Sequence, residues 1–154
     1  MINKDLIDNL TKGLFLETSK ILLPWNTSFE ILSETGKPDL KEISKQRSDL
    51  MWKDETILNG LSVDLTIMRH TGFLGVNKKF SCAFGFIAKM DFEKTKERLN
   101  LDSGQEGKYI KINDSEDKFV WKIGKTTITL SHHDKYGEYY QVEIQHNNGL
   151  FGIF

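Results

Sequence analysis

The sequence predicts an α+β fold in which short helices pack on one face of a mostly antiparallel meander sheet, forming one compact domain over residues 1–154. Two observations support this prediction. The spacing of apolar residues changes from the helical period to the two-residue period of strands, and it does so twice in the same order along the chain. Similar segments also occur in both halves, "SDLMWK" at residues 48–53 and "DKFVWK" at residues 117–122.

Two helices are predicted before the first strand. Near the N-terminus, apolar residues recur at the helical spacing of three and four: Leu6, Ile7, Leu10 and Leu14. This first helix either ends at Gly13 or continues, bent, to about Lys20. The second helix is predicted to begin with Thr27 as its N-cap and Glu30 completing a capping box. Gly36 is predicted to end it.

Three strands are predicted between the second helix and the middle of the chain. They are the segments "DLMWK", "LSVDLTIMRH" and "KKFSCAFGFIAK". One face of the third segment carries mostly aromatic residues: Phe80, Cys82, Phe84 and Phe86. Because free cysteine most often behaves as a small hydrophobe, Cys82 on this Phe-rich strand is expected to be buried.

The second half repeats this order. A helix is predicted to open at Asp91 in "DFEKTKERLNLDSG" and to end before Gly104. Its buried side is expected to carry Phe92, Thr95 and Leu99. Four strands are predicted to follow, in "KYIKIN", "KFVWKI", "TTITLSHH" and "EYYQVEIQH".

This repetition suggests two similar halves, residues 1–88 and 89–154, joined near residues 89–91. In an internal duplication Trp52 would match Trp121. The further matches would pair Leu65 with Ile128, and Ile67 with Leu130. The match requires an insertion of about six residues after Trp52. The alternative is that an α+β meander produces short Trp-Lys coincidences by chance.

Charge and composition restrict the classes of function. Lysine and arginine number 21 and aspartate and glutamate 22, so the net charge is -1 and there is no basic excess for binding nucleic acid or a membrane surface. No apolar run reaches the roughly 20 residues that cross a bilayer. The first ten residues hold two acids and lack the apolar core of a signal peptide. Together with the single Cys82, these features predict a cytoplasmic protein.

No cofactor, metal site or catalytic residue is predicted. The segment "IGKTT" is similar to the end of a phosphate-binding loop, but Phe119 stands where that motif needs glycine. His132 and His133 are adjacent on a strand and point to opposite faces, so they cannot ligate one ion together. If the two halves arose by duplication, His70 and His133 would occupy matching strand ends. They are interpreted as surface or rim histidines in preference to a shared metal site or an acid–base pair. A nucleophile–base pair of Cys82 with His70 is a less favoured alternative.

The favoured function is binding of a protein partner. Tyrosines and histidines crowd the predicted hairpin at residues 132–140, and such side chains on a sheet surface serve as binding anchors. The predicted partner-binding residues are Tyr136, Tyr139, Glu143 and His133. Two alternatives are a small enzyme or ligand-binding protein that uses this His/Tyr cluster, and a Phe-rich core with exposed tyrosines. Enzymatic activity is therefore left open, although its absence is favoured.

Alternation along the last strand predicts which of its residues face a partner. The mostly apolar set is expected to face the helices: Tyr140, Val142, Ile144 and His146. Tyr139 and Glu143 then point outward, beside Lys135 or Tyr136 of the neighbouring hairpin. An outward tyrosine offers a rigid anchor with a polar tip, and Glu143 can pair with a basic group of a partner.

The order of elements resembles tandem helix-plus-sheet modules of the β-lactamase inhibitory protein kind, over most of the chain. That resemblance implies two similar units of helices on an antiparallel sheet, which bind a partner protein across the exposed concave face. The chain also resembles, in kind, the small immunity proteins that neutralise bacterial toxins by covering their active sites. Both resemblances imply a non-catalytic protein-binding module.

Overall fold

The computed structural model describes residues 2–70 and 79–147 of the chain. Within these ranges the helices are α1 (Lys4–Lys12), α2 (Phe29–Ser33) and α3 (Lys89–Ser103). The strands of the first half are β1 (Gly13–Leu16), β2 (Ile21–Pro24), β3 (Asp39–Ser44), β4 (Arg47–Ile57), β5 (Leu61–His70) and β6 (Cys82–Ile87). Those of the second half are β7 (Lys108–Asn113), β8 (Glu116–Ile123), β9 (Thr126–His133) and β10 (Tyr139–His146).

The strands form one large antiparallel sheet and one small hairpin. The eight-stranded sheet has the order β3-β4-β5-β6-β10-β9-β8-β7, and β1 pairs with β2 separately. Four consecutive strands of the first half therefore meet four consecutive strands of the second half at the β6–β10 pair, which aligns Tyr140 with Ile87 at one end and Gln145 with Cys82 at the other. The predicted α+β class with a mostly antiparallel meander sheet is confirmed.

The helices and the small hairpin contact the same face of the sheet, which we call the inner face. Alternating residues of β5, β9 and β10 fill the core there, including Leu65, Ile128 and Val142, each at 0% exposure. The core side of α3 is formed by Phe92, Thr95 and Leu99, as predicted. Burial of Val142 and Ile144 confirms the predicted orientation of the last strand. We call the opposite side of the sheet the outer face.

Two tryptophans tie the preceding helices to the sheet. Trp52 lies opposite Leu65, and its indole N–H donates to the carbonyl of Thr35, at 2.9 Å, just beyond α2. Trp121 lies opposite Ile128. Its indole N–H donates at 3.0 Å to Oδ1 of Asn100 in α3. A buried indole needs such an acceptor, so each contact fixes where the helix lies over the strands.

The N-terminal helix stops at Gly13 and does not continue, bent, to about Lys20, so the first of the two predicted alternatives is confirmed. It ends at Lys12, and Leu14 lies in β1, where it is buried by strand alternation. Gly13 allows the hairpin to form, because a Cβ atom there would lie 2.2 Å from the carbonyl oxygen of Leu23. The β1–β2 hairpin was not predicted, since the spacing of its leucines also fits a helix.

Two further local predictions are corrected by the structure. The N-cap of α2 is Ser28, whose hydroxyl accepts from the N–H of Ile31, whereas the Thr27 hydroxyl donates to the carbonyl of Pro24. Strand β3 was missed entirely. It is an edge strand whose six residues are all exposed, so it lacks the buried alternation that would reveal it.

The Asn100 side chain yields a stability prediction. Its Oδ1 accepts from both the Trp121 indole and the backbone N–H of Gly107, at 3.0 and 2.9 Å. Asn100→Ala leaves both donors without an acceptor, one of them on a fully buried ring, so the free energy of unfolding should fall by about 2 kcal/mol in urea titrations.

The matched control for Asn100→Ala is Asn113→Ala. Asn113 Oδ1 also accepts two hydrogen bonds, both from Ser115, but at an exposed turn. We expect that control to lose less than about 0.5 kcal/mol, because water replaces the lost acceptor. Equal losses in the two variants would contradict the role assigned to Asn100.

The His146 ring yields a pH prediction. It stacks on Trp25 with ring centroids 5.0 Å apart, and its Nδ1 lies 3.2 Å from Oγ1 of Thr126. Burial lowers the pKa of His146, and the charge of Lys125 lowers this pKa further. The unfolded chain then binds the proton more readily, so the His146 contribution to stability is lost as pH falls below about 6.5.

We therefore expect His146→Phe, which keeps a ring against Trp25, to reduce the loss of stability between about pH 7.5 and pH 5.5. The measurement is the free energy of unfolding of both proteins at each pH. Parallel pH profiles for the two proteins would show that His146 does not contribute.

Candidate functional site

The centre of the outer face is formed by the strand pair β6–β10. Its register places Phe86 beside Gln141 and Phe84 beside Glu143. The intervening residues of β6 point inward, and Ala83 has 0% exposure. Because side chains alternate along strands, this inward set fixes Phe84, Phe86, Tyr139, Gln141 and Glu143 on the outer face.

The side of β6 that carries Phe84 and Phe86 faces outward, so these two rings do not belong to the Phe-rich core that was one alternative. Phe80, predicted to share their face, is instead buried against Trp25. Phe86 is 64% exposed, whereas Ile87 on the inward side is 9% exposed. Before Ile87 the inward side holds the small residues Ala83 and Gly85, because β5 passes close to it. A Cβ atom on Gly85 would lie 2.2 Å from Cγ2 of Val63. The glycine between Phe84 and Phe86 was the signal in the sequence that could have revealed this orientation.

Three aromatic rings form a row across the outer face. Tyr139 stacks on its cross-strand partner His133, with ring centroids 4.6 Å apart and an angle of 11° between the planes. Phe86 meets Tyr139 edge to face at 5.6 Å. We call Phe86, Tyr139 and His133 the aromatic row. Edge-to-face and stacked contacts of this kind hold each ring in one orientation.

Three of the four predicted site residues surround one hollow. Tyr136, Tyr139 and His133 line a depression of about 270 Å³ together with Glu116 and Lys135. Tyr136 is 89% exposed and Tyr139 is 41% exposed, so the hollow is open to solvent. Its open shape suits a contact with another surface better than enclosure of a small substrate.

Glu143, the fourth predicted residue, lies farther along β10 on the same face and does not line the hollow. Its cross-strand neighbours are Phe84 and Thr129. The Sγ atom of Cys82 lies 3.8 Å from Oε1 of Glu143. Burial raises the pKa of the Cys82 thiol to about 12, and the charge of Glu143 adds to this rise.

Cys82 is therefore half-buried on the outer face and is not the core residue that was expected. A thiol with so high a pKa is a poor nucleophile at neutral pH, because the thiolate is the reactive form. The proposed pairing of Cys82 with His70 stays a prediction, since the His70 side chain lies outside the described residues.

The predicted His/Tyr cluster is divided between the two faces. His132 and Tyr140 point inward, where their rings stack at 4.8 Å. His132 Nδ1 lies 3.4 Å from Oδ1 of Asp117, and its Nε2 lies 3.8 Å from Oε2 of Glu138. Tyr140 donates to Glu138 at 2.8 Å. Burial, followed by this hydrogen bond, raises the pKa of Tyr140 to about 12.

This inner cluster and the aromatic row cannot act on one substrate together, because the sheet separates them. The separation follows from the adjacency of the two histidines in β9, as the sequence predicted. Among residues 2–70 and 79–147, no group of three or more His, Cys, Asp or Glu side chains could hold a metal ion.

Comparisons with known proteins give no relative from which a function could be transferred. No family model matches the chain, and neither a curated protein nor a solved structure matches it significantly. Within the described part of the chain, no helix combines the length and the apolar character needed to cross a membrane.

The Cys82 pKa predicts how slowly this thiol reacts with Ellman's reagent at about pH 8. A pKa of about 12 leaves roughly one thiol in ten thousand ionised, so the reaction should be at least ~100-fold slower than with free cysteine. Glu143→Gln should accelerate the reaction while leaving it slow, because burial is the larger cause of the shift.

The chain unfolded in guanidinium chloride is the control for this measurement and should react at the rate of free cysteine. A folded protein that reacts as fast as the unfolded chain would contradict the environment described for Cys82.

Proposed function

We propose that this chain is a non-catalytic protein-binding module whose partner docks on the centre of the outer face. The proposed contact surface consists of the aromatic row together with Tyr136 and Glu143. In its most specific form, the proposal is that the chain is a bacterial immunity protein that neutralises a toxin by direct binding. A cytoplasmic location belongs to the same proposal and is supported by the free thiol of Cys82.

The observation that carries the proposal is the exposure of Phe86 in the middle of the sheet. Phe86 is 64% exposed, and the adjoining Tyr139 is 41% exposed. They lie on the fourth and fifth strands of eight, far from both edges. Large rings at the centre of an open face are unfavourable in water and are typical of residues that become buried in a complex.

The surface is also held in place before any partner binds. Six aligned residue pairs connect β6 to β10, and eight connect β10 to β9. The rings contact one another through Tyr139, so few side-chain rotations remain to be lost on binding. Such preorganisation increases affinity because less conformational entropy is lost in the complex.

Glu143 gives the surface a polar contact beside the rings. It is half-buried between Phe84 and Thr129, and none of its described contacts is with a lysine or arginine. A partner with a basic group opposite Glu143 would be favoured over one with an acidic group there.

We further propose that the two halves of the chain arose from one repeated unit. The supporting observation is that Trp52 and Trp121 occupy similar positions, opposite Leu65 and Ile128 respectively. Each indole also donates a hydrogen bond to the preceding helix or to the residues just after it. The extra residues after Trp52 lie in a bulge and in a longer β4–β5 hairpin.

The binding test uses the product of the neighbouring gene as the candidate partner, with affinities measured by calorimetry. Phe86→Ala and Tyr139→Ala should each weaken binding by on the order of 2 kcal/mol, about thirtyfold, because each removes a central anchor. Glu143→Lys should also weaken binding, by charge reversal.

The matched control is Leu101→Ala. Leu101 is 65% exposed, as Phe86 is, but it lies on α3 at the opposite side of the sheet. Its replacement should leave the affinity unchanged. Equal affinity of all four variants, with folding intact by circular dichroism, would show that the outer face is not the binding surface. A neighbouring gene product that does not bind the wild-type chain would overturn the toxin-neutralising form of the proposal.

A further inference from the structure

Three lysines form a cluster on the part of the outer face that strands β7 and β8 contribute. Lys118 and Lys122 flank Val120 on β8, two residues away on either side and on the same face. Lys108 of β7 is the cross-strand partner of Val120. Diagonal neighbours across strands lie about 7–8 Å apart, so the three ammonium groups share one area. We call Lys108, Lys118 and Lys122 the lysine cluster.

The lysine cluster has no ion-pair partner within the described part of the chain, unlike several other lysines. Ion pairs are formed by Lys53 with Asp39, Lys89 with Glu138, Lys96 with Glu93, and Lys111 with Asp114. The cross-strand neighbours of Lys118 and Lys122 on β9 are Ser131 and Thr127, which carry no charge. Three like charges therefore stand together, and Glu116, two residues before Lys118 on the same face, lies beside His133 instead, 3.6 Å from its Nδ1.

The register of the sheet fixes the position of the lysine cluster relative to the aromatic row. Phe86 aligns with Gln141, Gln141 with Ser131, and Ser131 with Lys118. These four residues form one line across the outer face. Lys118 thus lies three strand spacings from Phe86, about 14 Å away.

We propose that the partner is a protein with an acidic patch located about 14 Å from an apolar pocket that receives Phe86. This inference rests on the proposed function and specifies its partner. The apolar pocket takes the central ring, and the acidic patch pairs with the lysine cluster. Attraction between the acidic patch and the lysine cluster increases the rate of association. Because this contact lies about 14 Å from the Phe86 pocket, the two contacts together fix the orientation of the bound partner.

A folded acidic protein fits this face better than a nucleic acid does. The same face carries carboxylates on both sides of the aromatic row, with Glu116 near His133 and Glu143 beside Phe84. A phosphate backbone running from the lysine cluster over the rings would meet these carboxylates. A protein can place acids opposite the lysines and other groups opposite Glu116 and Glu143.

The test selects binders from a phage-displayed library of random peptides of about 12 residues, long enough to span the distance from Phe86 to Lys118. Selected peptides are made synthetically, and their Kd is measured by fluorescence anisotropy in low salt. The test variant carries Lys108→Glu, Lys118→Glu and Lys122→Glu. The control carries Lys4→Glu, Lys12→Glu and Lys94→Glu, with the same change in net charge at exposed helical positions.

We expect the selected peptides to combine an apolar residue with several Asp or Glu residues. The test variant should bind them at least ~10-fold more weakly than the control variant, and this difference should shrink in high salt. Phe86→Ala should weaken binding of the same peptides.

Several results would overturn the inference. One is a set of selected peptides without acidic residues, and another is equal binding by the test and control variants. If the selected peptides still required Phe86 in either case, the proposed function would stand while the acidic partner would be excluded. The third is lysine-dependent binding of oligo(dT) or of phosphatidylglycerol vesicles at affinities matching the peptides, which would assign the lysine cluster to polyanions in general.

Discussion

The antiparallel pairing of β6 with β10 is the interaction on which the rest of the structure depends. It joins the strands of the two halves into one eight-stranded sheet, so that the inward residues of both halves share a single core. It also aligns the inward residues Ala83 and Ile144 as cross-strand partners, both at 0% exposure. Because side chains alternate, the same register brings Phe86 and Tyr139 together on the outer face.

The two faces of this central pair differ because their neighbours differ. On the inner face, α3 and the N-terminal segment cover the sheet, and Phe92 and Trp25 contact residues of β10. Close passage of β5 requires the small residue Gly85 there. The larger aromatic residues of β6 are consequently placed on the outer face. Exposure of these rings is thus a consequence of the packing on the opposite side, and it leaves them available to the proposed partner.

Periodicity in the sequence was sufficient to predict some elements and insufficient for others. Helix α3 and strands β8, β9 and β10 were predictable because their patterns are long, and Gly104, with φ 71°, marks the end of the helix. The β1–β2 hairpin was not, because the spacing of its leucines also fits a helix, and neither was the edge strand β3, whose six residues are all exposed. The outward direction of Tyr139 followed from the strongly apolar Val142 and Ile144. The outward direction of Phe86 was marked in the sequence by Gly85, but the close approach of Val63 that excludes a larger residue there is set by the folded sheet.

Site-specific photocrosslinking tests the central claim, that the outer face is a protein-binding surface, most directly. The photoreactive amino acid p-benzoylphenylalanine replaces Phe86 in one protein and Leu101 in another, positions of equal exposure on opposite sides of the sheet. Both proteins are irradiated together with the neighbouring gene product. We predict one covalent adduct of defined mass from position 86 and none from position 101. Equal yields at the two positions, or an adduct from position 101 alone, would contradict the claim.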